Sequence, residues 1–427
     1  MPASGRAAWG PIAGYCLYDV ANSSFTTLIS TVAFAVYFSQ VVVGAGDGRS
    51  DLLWSATTAG GHLVLILSAP LLGAVADRAG RRKRFLLLST VLTVVSCALL
   101  STVGPGQIGR GVLLFLVASV GFEGGYIFYN ALLREVSTPA TLGRISGLSW
   151  GVGFLGGLAA LALCAPLLTP LLDAAGRPVA SAVAGYRLSF LVVALFFALV
   201  SVPTFLLVPE PAAPPARGSW REHGAVGLSR IAATLSQLRR HRDAALLAAA
   251  SACYYGGIET VIKFSAIYAT VTFGMQGPEL TRLFILANVV AAPGTLAGGA
   301  LADRIGHRRA LAGTLLLWFG LLALGASAGS PRALWLLTPG IAIATGSTQA
   351  IGRALFSRLA PAAREAEFFG FYLLCNKAGS IGGLVLFGAI SWLSGNQRHA
   401  LLAVAPLFLA ALVLVLAIRR GPPPEPA

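Results

Sequence analysis

A charged motif that occurs twice, each time between two long apolar segments, constrains the fold more than any other feature of the chain. Residues 73–84 read Gly-Ala-Val-Ala-Asp-Arg-Ala-Gly-Arg-Arg-Lys-Arg, and residues 299–310 read Gly-Ala-Leu-Ala-Asp-Arg-Ile-Gly-His-Arg-Arg-Ala. The same offset carries Gly156-Gly157-Leu158 onto Gly382-Gly383-Leu384. Repeats at a constant offset indicate duplicated structural units. We therefore predict two homologous halves, each with about six membrane-spanning segments.

The composition indicates that these apolar segments lie in lipid. Hydrophobic residues make up 56% of the 427 residues, charged residues only 11%, and the mean hydropathy is +0.77. A bilayer core of about 30 Å requires about 20 apolar residues per helix. The sequence thus predicts an all-α membrane protein with twelve transmembrane helices in two pseudo-symmetric six-helix bundles. The predicted spans are 14–43, 54–76, 85–104, 111–134, 145–170, 186–208, 244–273, 281–302, 310–329, 333–356, 366–394 and 399–418.

The net charge of +15 does not indicate a nucleic-acid-binding protein, because the basic residues alternate with the spans and form no single basic domain. Since positive residues favour the cytoplasmic loops, both termini are predicted to be cytoplasmic. The domains are then an N-terminal bundle 1–208, a Pro-rich and then basic cytoplasmic linker 209–243, a C-terminal bundle 244–420 and a disordered tail 421–427. We expect the Pro-rich start of the linker to be extended and residues 219–238 to form a basic helix that lies on anionic lipid. The short tails favour a bacterial plasma membrane, and we expect a monomer.

The repeated motif has the composition of a cytoplasmic gate. Its glycines permit close approach of a second helix, and its aspartates can pair with the arginines that follow. A simple positive-inside anchor is the alternative, but it explains only the arginines. His307 replaces the arginine of the first copy, which weakens the second copy as a gate. The predicted gate residues are Gly73, Asp77, Arg78, Gly80, Arg81, Arg82, Gly299, Asp303, Arg304, Gly306 and Arg308.

A few ionisable residues fall inside the predicted spans, where each charge costs about 2.5–3.5 kcal/mol at mid-bilayer. Helical spacing aligns some of them with other polar side chains into stripes on the first and fourth helices. Glu259 and Lys263 are four residues apart and are predicted to form an ion pair, which has either a transport role or only a structural one. His62 is expected to be a packed polar residue. The predicted substrate-binding or coupling residues are Asp19, Asn22, Glu123, Tyr126, Asn130, Glu259, Lys263 and Lys377.

Other motifs do not indicate an enzyme, a metal site or a cofactor. The segment Gly147–Gly151 matches a nucleophile elbow, which requires a strand followed by a helix, but it lies inside a predicted span. The spacing of Gly147, Gly151, Gly153 and Gly157 predicts close helix packing instead. The five cysteines have no metal-type spacing, and the chain has no phosphate-binding loop for ATP.

The gate motif resembles the loop signature of the major facilitator superfamily, and three further segments narrow the resemblance. Residues 18–25 (Tyr-Asp-Val-Ala-Asn-Ser-Ser-Phe), 128–133 (Phe-Tyr-Asn-Ala-Leu-Leu) and 364–372 (Arg-Glu-Ala-Glu-Phe-Phe-Gly-Phe-Tyr) are similar to the vacuole effluxer family, its autophagy-related branch. The resemblance implies a major facilitator fold, in which two bundles rock about a central site lined by the first, fourth, seventh and tenth helices. It also implies amino acid transport, because the family's best-described role is release of amino acids from the vacuole.

The sequence therefore predicts a secondary active transporter that moves a small polar solute, such as an amino acid, by alternating access. Protons are the expected coupling ion, because a carboxylate in a closing cavity binds a proton more readily. Two alternatives stay open at this point: an exporter of amphiphilic compounds, and a non-transporting membrane receptor or scaffold with the same fold. The expected partners are the solute, protons and membrane lipid, without nucleic acid.

Overall fold

Long helices form nearly the whole protein. The computed structural model describes residues 9–44, 48–79, 82–137, 142–209, 241–359 and 365–419. Within these ranges we number twelve long helical segments in chain order. Their bounds are α1 Trp9–Gly44, α2 Arg49–Ala79, α3 Arg82–Leu100, α4 Ile108–Val136, α5 Leu142–Cys164, α6 Ala180–Leu207, α7 Arg242–Phe273, α8 Pro278–Ile305, α9 His307–Ser327, α10 Pro331–Leu359, α11 Glu365–Ser394 and α12 Gln397–Leu416.

Each predicted span overlaps one of these helices, and the largest errors are at the end of the fifth and the start of the sixth. The predicted span 145–170 is too long, since α5 ends at Cys164 and a short 3-10 turn, Ala165–Leu167, follows. Pro166 explains the early end, because its ring removes an N–H donor and clashes with the preceding turn of a helix. The central part of the predicted linker, residues 210–240, and the tail lie outside the described residues.

The outer surface of the helices is apolar. Nine of the helices in the described ranges are long and apolar enough to cross a membrane. Leucines project from the surface on several of them, with exposed fractions of 76% for Leu206, 76% for Leu296 and 82% for Leu336. A soluble protein does not expose so much contiguous apolar surface, whereas lipid solvates it. The chain is thus an integral multi-pass membrane protein.

Successive helices alternate in direction, so the molecule has two ends. We call the end that holds Trp9 and the end of α12 the termini side, and the opposite end the far side. On the termini side, Lys83 Nζ donates to the carbonyl oxygens of Phe205 and Val208 at 2.7 Å, at the end of α6. In the second half, Arg308 donates to the carbonyl oxygens of Val415 and Leu416, at the end of α12. Each base satisfies carbonyls that a helix end leaves unpaired.

Equivalent helix crossings occur in the two bundles at repeated glycines. In the first bundle α1 crosses α5, and a Cβ atom on Gly156 would overlap the carbonyl oxygen of Val20. In the second bundle α7 crosses α11, and a Cβ atom on Gly383 would overlap the carbonyl oxygen of Gly256. Close packing at Gly153 and Gly157 is also present, whereas Gly151 faces open space. The glycine repeat in the sequence therefore marks the same kind of close helix contact within each half.

Two adjacent glycines of α11 test this packing. We expect Gly383→Ala to lower the free energy of unfolding by about 1–3 kcal/mol, because the new methyl group must push two helices apart. A methyl group on Gly382 would have no other atom within 4 Å. Gly382→Ala should be neutral or raise stability by up to about 1 kcal/mol, because alanine is the better helix former. Unfolding of both variants in detergent is the measurement, and equal effects would contradict the close crossing.

Candidate functional site

A cavity of about 1530 Å³ lies between the two bundles. Its walls are formed by side chains from α1, α2, α4 and α5 of the first half and from α7 to α12 of the second. The residues predicted from the sequence as substrate-binding or coupling residues all line this cavity: Asp19, Asn22, Glu123, Tyr126, Asn130, Glu259, Lys263 and Lys377. The cavity thus collects polar groups from both halves in one place.

An ion pair crosses the cavity and joins the two bundles. Lys377 Nζ on α11 lies 2.6 Å from Glu123 Oε1 on α4, close to the middle of both helices. His62 Nε2 on α2 lies 3.8 Å from the same carboxylate oxygen. The sequence predicts His62 as a packed polar residue, and it is buried, but its ring also lines the cavity beside Glu123. A carboxylate, an ammonium and an imidazole therefore meet at mid-membrane, where each charge depends on the others.

The predicted ion pair between Glu259 and Lys263 is not present. Instead, Lys263 Nζ on α7 donates to Ser30 Oγ on α1 at 2.5 Å. Ser30 belongs to a π-helical segment, Phe25–Val32, in which the Thr31 hydroxyl donates to the carbonyl oxygen of Thr26 five residues earlier. A π turn rotates the following residues relative to an ordinary helix and is frequent at functional sites. Ser30 lies eleven residues after Asp19, on the same helical face, but it is not among the residues predicted from the sequence.

Glu259 consequently keeps its acceptor capacity for a solute. It lines the cavity one turn before Lys263, and none of the described residues forms a hydrogen bond or ion pair with it. The charges of Lys263 and Lys377 are close enough to interact with it electrostatically. A carboxylate near two ammonium groups but bonded to neither can bind the ammonium group of a small molecule.

Asp19 is held more tightly, within the first bundle. Ser149 Oγ on α5 donates to Asp19 Oδ2 at 2.5 Å, and Ser149 shares a 2.7 Å hydrogen bond with the hydroxyl of Tyr129. The ring of Tyr15 stacks on Tyr129 with centroids 4.3 Å apart. Ser149 lies inside a helix, in agreement with the interpretation that its glycine-flanked motif is not a nucleophile elbow. Asn22, one turn after Asp19, is buried and neither of its amide atoms has a hydrogen-bond partner among the described residues.

The first copy of the predicted gate motif is only partly described. Gly80 and Arg81 lie outside the described residues, and so do the side chains of Gly73, Asp77 and Arg78 on α2. Arg82 Nη1 lies 3.5 Å from Glu135 Oε1, which joins α3 to α4 of the same bundle.

The second copy is described completely. Asp303 Oδ1 lies 3.6 Å from His307 Nε2, Arg304 is exposed and Gly299 faces open space. Gly306 has a φ of 90°, a left-handed conformation that glycine adopts without strain, and it forms the turn between α8 and α9. The described side chains of both copies contact their own bundle, so the gate role stays a prediction.

The cavity is closed on the far side. Ser55 Oγ on α2 donates to the carbonyl oxygen of Leu384 on α11 at 2.5 Å, and the Leu172 N–H donates to Gln276 Oε1 at 3.4 Å. These bonds join the two bundles between the central ion pair and the far side. Asn130, which lies on α4 between Glu123 and the termini side, is exposed. Within the described ranges, the arrangement is therefore open toward the termini side.

The described residues contain no group of three His, Cys, Asp or Glu side chains that could hold a metal ion. The cavity itself offers charged and polar side chains from both bundles. It can bind opposite charges on one small molecule, exchange protons and change the contacts between the two bundles.

Comparisons with known proteins agree with this architecture. A family model described as "Vacuole effluxer Atg22 like" matches residues 134–421. The "Uncharacterized MFS-type transporter YxiO" of Bacillus subtilis is 26% identical over 411 residues, which cover 94% of this chain and 93% of the relative. Autophagy-related protein 22 of Yarrowia lipolytica is 23% identical over 74% of this chain, which spans 58% of that relative.

Solved structures show the same fold at low sequence identity. The nucleoside transporter NupG superposes with a TM-score of 0.72 at 16% identity, over 96% of this chain and 99% of that one. A D-xylose-proton symporter superposes with a TM-score of 0.73 at 14% identity, over 96% of this chain and 97% of that one. The two six-helix bundles thus form a major facilitator fold.

A double-mutant cycle tests the central ion pair. Glu123→Gln and Lys377→Met each leave one partly buried charge unpaired, and we expect each to lower the free energy of unfolding by about 1–3 kcal/mol. The double variant should lose clearly less than the sum, because no unpaired charge is left. Unfolding in detergent is the measurement.

The exposed pair of Asp173 and Arg177 on the far side is the matched control. Asp173→Asn and Arg177→Met should leave the free energy of unfolding nearly unchanged, because water solvates the remaining charge and asparagine keeps the Oδ1 acceptor for the N–H groups of Ala175 and Arg177. Strictly additive losses at Glu123 and Lys377 would show that the two charges do not depend on each other.

Proposed function

The chain belongs to the vacuole effluxer family and is a transporter of the major facilitator type, and from this premise we propose that it is a secondary active transporter of a small zwitterion, such as an amino acid. Transport proceeds by alternating access and is coupled to protons. The observation that carries the proposal is the ion pair of Glu123 and Lys377, which joins the two bundles in the middle of the solute cavity.

The distribution of charge on the cavity walls supports a zwitterionic solute. The wall from the first bundle is acidic, with Asp19 and Glu123. The wall from the second carries the ammonium groups of Lys263 and Lys377, the guanidinium group of Arg353 and the carboxylate of Glu259. An amino acid would place its ammonium group toward Glu123 and Glu259 and its carboxylate toward Lys377. A solute with a single charge would satisfy only one of these groups and leave its partner unpaired.

The ion pair also supplies a link between binding and conformational change. A solute carboxylate competes with Glu123 for Lys377, so an occupied site replaces one bond between the bundles by two bonds through the solute. Because a ligand shifts a conformational equilibrium only by its differential affinity for the two states, this exchange of partners is the physical basis for alternating access.

Proton coupling follows from the same carboxylate. A proton on Glu123 removes its charge and releases Lys377, and His62, whose Nε2 atom is 3.8 Å away, is placed to exchange that proton. If the termini are cytoplasmic, as the distribution of basic residues predicts, the present conformation faces the cytoplasm. A bacterial plasma membrane is the proposed location, in keeping with the similarity to a Bacillus subtilis protein.

Export of amphiphilic compounds is a second candidate, because one side of the cavity is apolar. Leu283, Phe284, Leu337 and Ile341 on α8 and α10 line it without a charged group among them. An amphiphile would place its apolar part on this surface and a cationic group at Glu123 or Glu259.

Ligand-dependent stability separates the two candidates and identifies the solute. We expect one or more amino acids to raise the melting temperature of the purified protein, since a ligand at 100 times its Kd adds about 2.7 kcal/mol to the stability of the folded state. Sugars, and lipophilic cations without a carboxylate, should not do so. Lys377→Met should abolish the amino acid effect, because it removes the group that binds the carboxylate. Stabilisation by lipophilic cations alone would favour the amphiphile exporter.

A transport assay tests the coupling residue. In proteoliposomes, Glu123→Gln should abolish pH-driven accumulation but retain exchange of labelled for unlabelled solute, because a neutral amide binds but cannot carry a proton. The same two measurements on Asp19→Asn show whether the second acidic residue of that wall is also required for pH-driven accumulation. Uptake by Glu123→Gln with an unchanged pH dependence would exclude Glu123 as the coupling group.

A further inference from the structure

A second carboxylate is buried between the two bundles, far from the central ion pair. Asp51 lies in the first turn of α2, on the far side, and only 2% of the residue is exposed. It does not line the solute cavity, and the repeat, the spacing of polar residues and the family resemblance do not point to it. A buried acid outside the solute site requires its own explanation.

Every hydrogen bond that the described residues make to the Asp51 carboxyl group comes from the opposite bundle. Oδ2 accepts from Ser391 Oγ on α11 at 2.5 Å and from Gln397 Nε2 on α12 at 2.7 Å. The Gln397 side chain is held in turn by Thr272 on α7, whose hydroxyl donates to Gln397 Oε1 at 2.9 Å. We call Asp51, Ser391, Gln397 and Thr272 the outer cluster. It can form only when the far ends of the two bundles are together.

The helices around the outer cluster are in direct contact, which keeps the carboxyl group dry. Gly48 precedes α2 with a φ of 68°, and a side chain there would meet the backbone of Ser391 and Trp392. A side chain at Gly388 would overlap Ser55. When the far side opens, these contacts separate and Asp51 loses its donors and gains water.

No cation among the described residues pairs with Asp51. Arg49 on its own helix and Arg110 on α4 are exposed, and His399 on α12 is exposed. The far ends of α1 and α7 contribute only tyrosines, each of which donates elsewhere, and the far end of α11 contributes no ionisable side chain. Arg398 on α12 donates to the carbonyl oxygens of Ala326 and Ala328 and lies over the ring of Phe273.

The surroundings of Asp51 differ between the closed and open states, and this difference determines its charge. In the closed state an ionised carboxylate would be buried without a counter-charge, and Oδ1 has no hydrogen-bond partner among the described residues. Such a charge is costly, whereas the neutral acid is tolerated. In the open state water solvates the carboxylate and the ordinary preference for ionisation returns.

We propose that Asp51 is a proton-operated latch on the far-side entrance: it binds a proton from the far-side medium as that entrance closes and releases it when the entrance opens. The latch is a second proton site, distinct from Glu123, and it acts on the conformation rather than on the solute. It rests on the proposed function in one respect, namely that the far side opens during transport.

Electron spin resonance distances between the far ends of the two bundles test the latch without any solute. Spin labels are attached to Thr102→Cys and Ser327→Cys, two exposed far-side positions on opposite bundles, after the five native cysteines are replaced by alanine. In lipid nanodiscs, the fraction with the longer, open distance should rise as the pH is raised from about 5 to about 9. Asp51→Asn, which keeps the acceptor oxygen but cannot ionise, should stay closed over the whole range.

Three further variants make the result specific. Asp173→Asn removes an exposed far-side acid and should keep the response of the parent protein. Gln397→Ala should move the midpoint of opening to lower pH, because the closed state loses a donor while Asp51 can still ionise. This variant also tests the latch if Asp51→Asn does not fold. Glu123→Gln should keep the part of the response that depends on Asp51.

The latch is refuted if Asp51→Asn opens with the same pH dependence as the parent protein, or if Glu123→Gln alone abolishes that dependence. A pH-dependent opening that requires Asp51, in a protein that transports no amino acid, would overturn the proposed solute and leave the latch intact. Amino acid transport by a protein whose far side opens independently of pH would refute the latch and leave the proposed solute intact.

Discussion

A charge inside a membrane requires a partner, and the whole arrangement of this transporter depends on the partner that Glu123 has. Lys377 reaches it from the other bundle, so the two charges that could not be buried separately are buried together. The bond holds the two halves in register at the level of the solute cavity. In the proposed mechanism a proton on Glu123 or a solute carboxylate at Lys377 breaks the pair, so the same contact that stabilises the cavity also makes it sensitive to occupancy.

The two carboxylates between the bundles, Glu123 and Asp51, have different surroundings, which suit them to different roles. Glu123 has a cation partner and lies in the cavity, where solute and water compete for it. Asp51 has neutral hydrogen-bond donors and lies where the bundles touch. In the proposed cycle, Glu123 responds to what is bound in the cavity, whereas Asp51 responds to whether the far-side entrance is closed. In both cases the proposed effect is a change in the position of one six-helix bundle relative to the other.

Much of this could be predicted from the sequence, because duplication and helical spacing are local signals. The repeats indicate the two halves, and the stripes through Asp19 and Glu123 identify residues that line the cavity. The hydrogen-bond and ion-pair partners of Glu123 and Lys263 could not be predicted, because they lie on the opposite bundle, far away in the sequence. Lys263 bonds to Ser30 on the opposite bundle rather than to Glu259 on its own helix. Asp51 carries no local signal, since its burial depends on two glycines, one of them on the opposite bundle.

The way each half is fastened has a consequence for how such proteins can change over evolution. Glycine crossings and basic helix caps tie the six helices of a half to one another, while packing of α2 against α11 and hydrogen bonds between the bundles connect one half to the other. Some residues that line the cavity, such as Leu283 and Ile341, form none of these hydrogen bonds. Substitutions at such positions can change the preferred solute while the bonds between the halves are retained, whereas substitutions at Glu123 or Lys377 affect both.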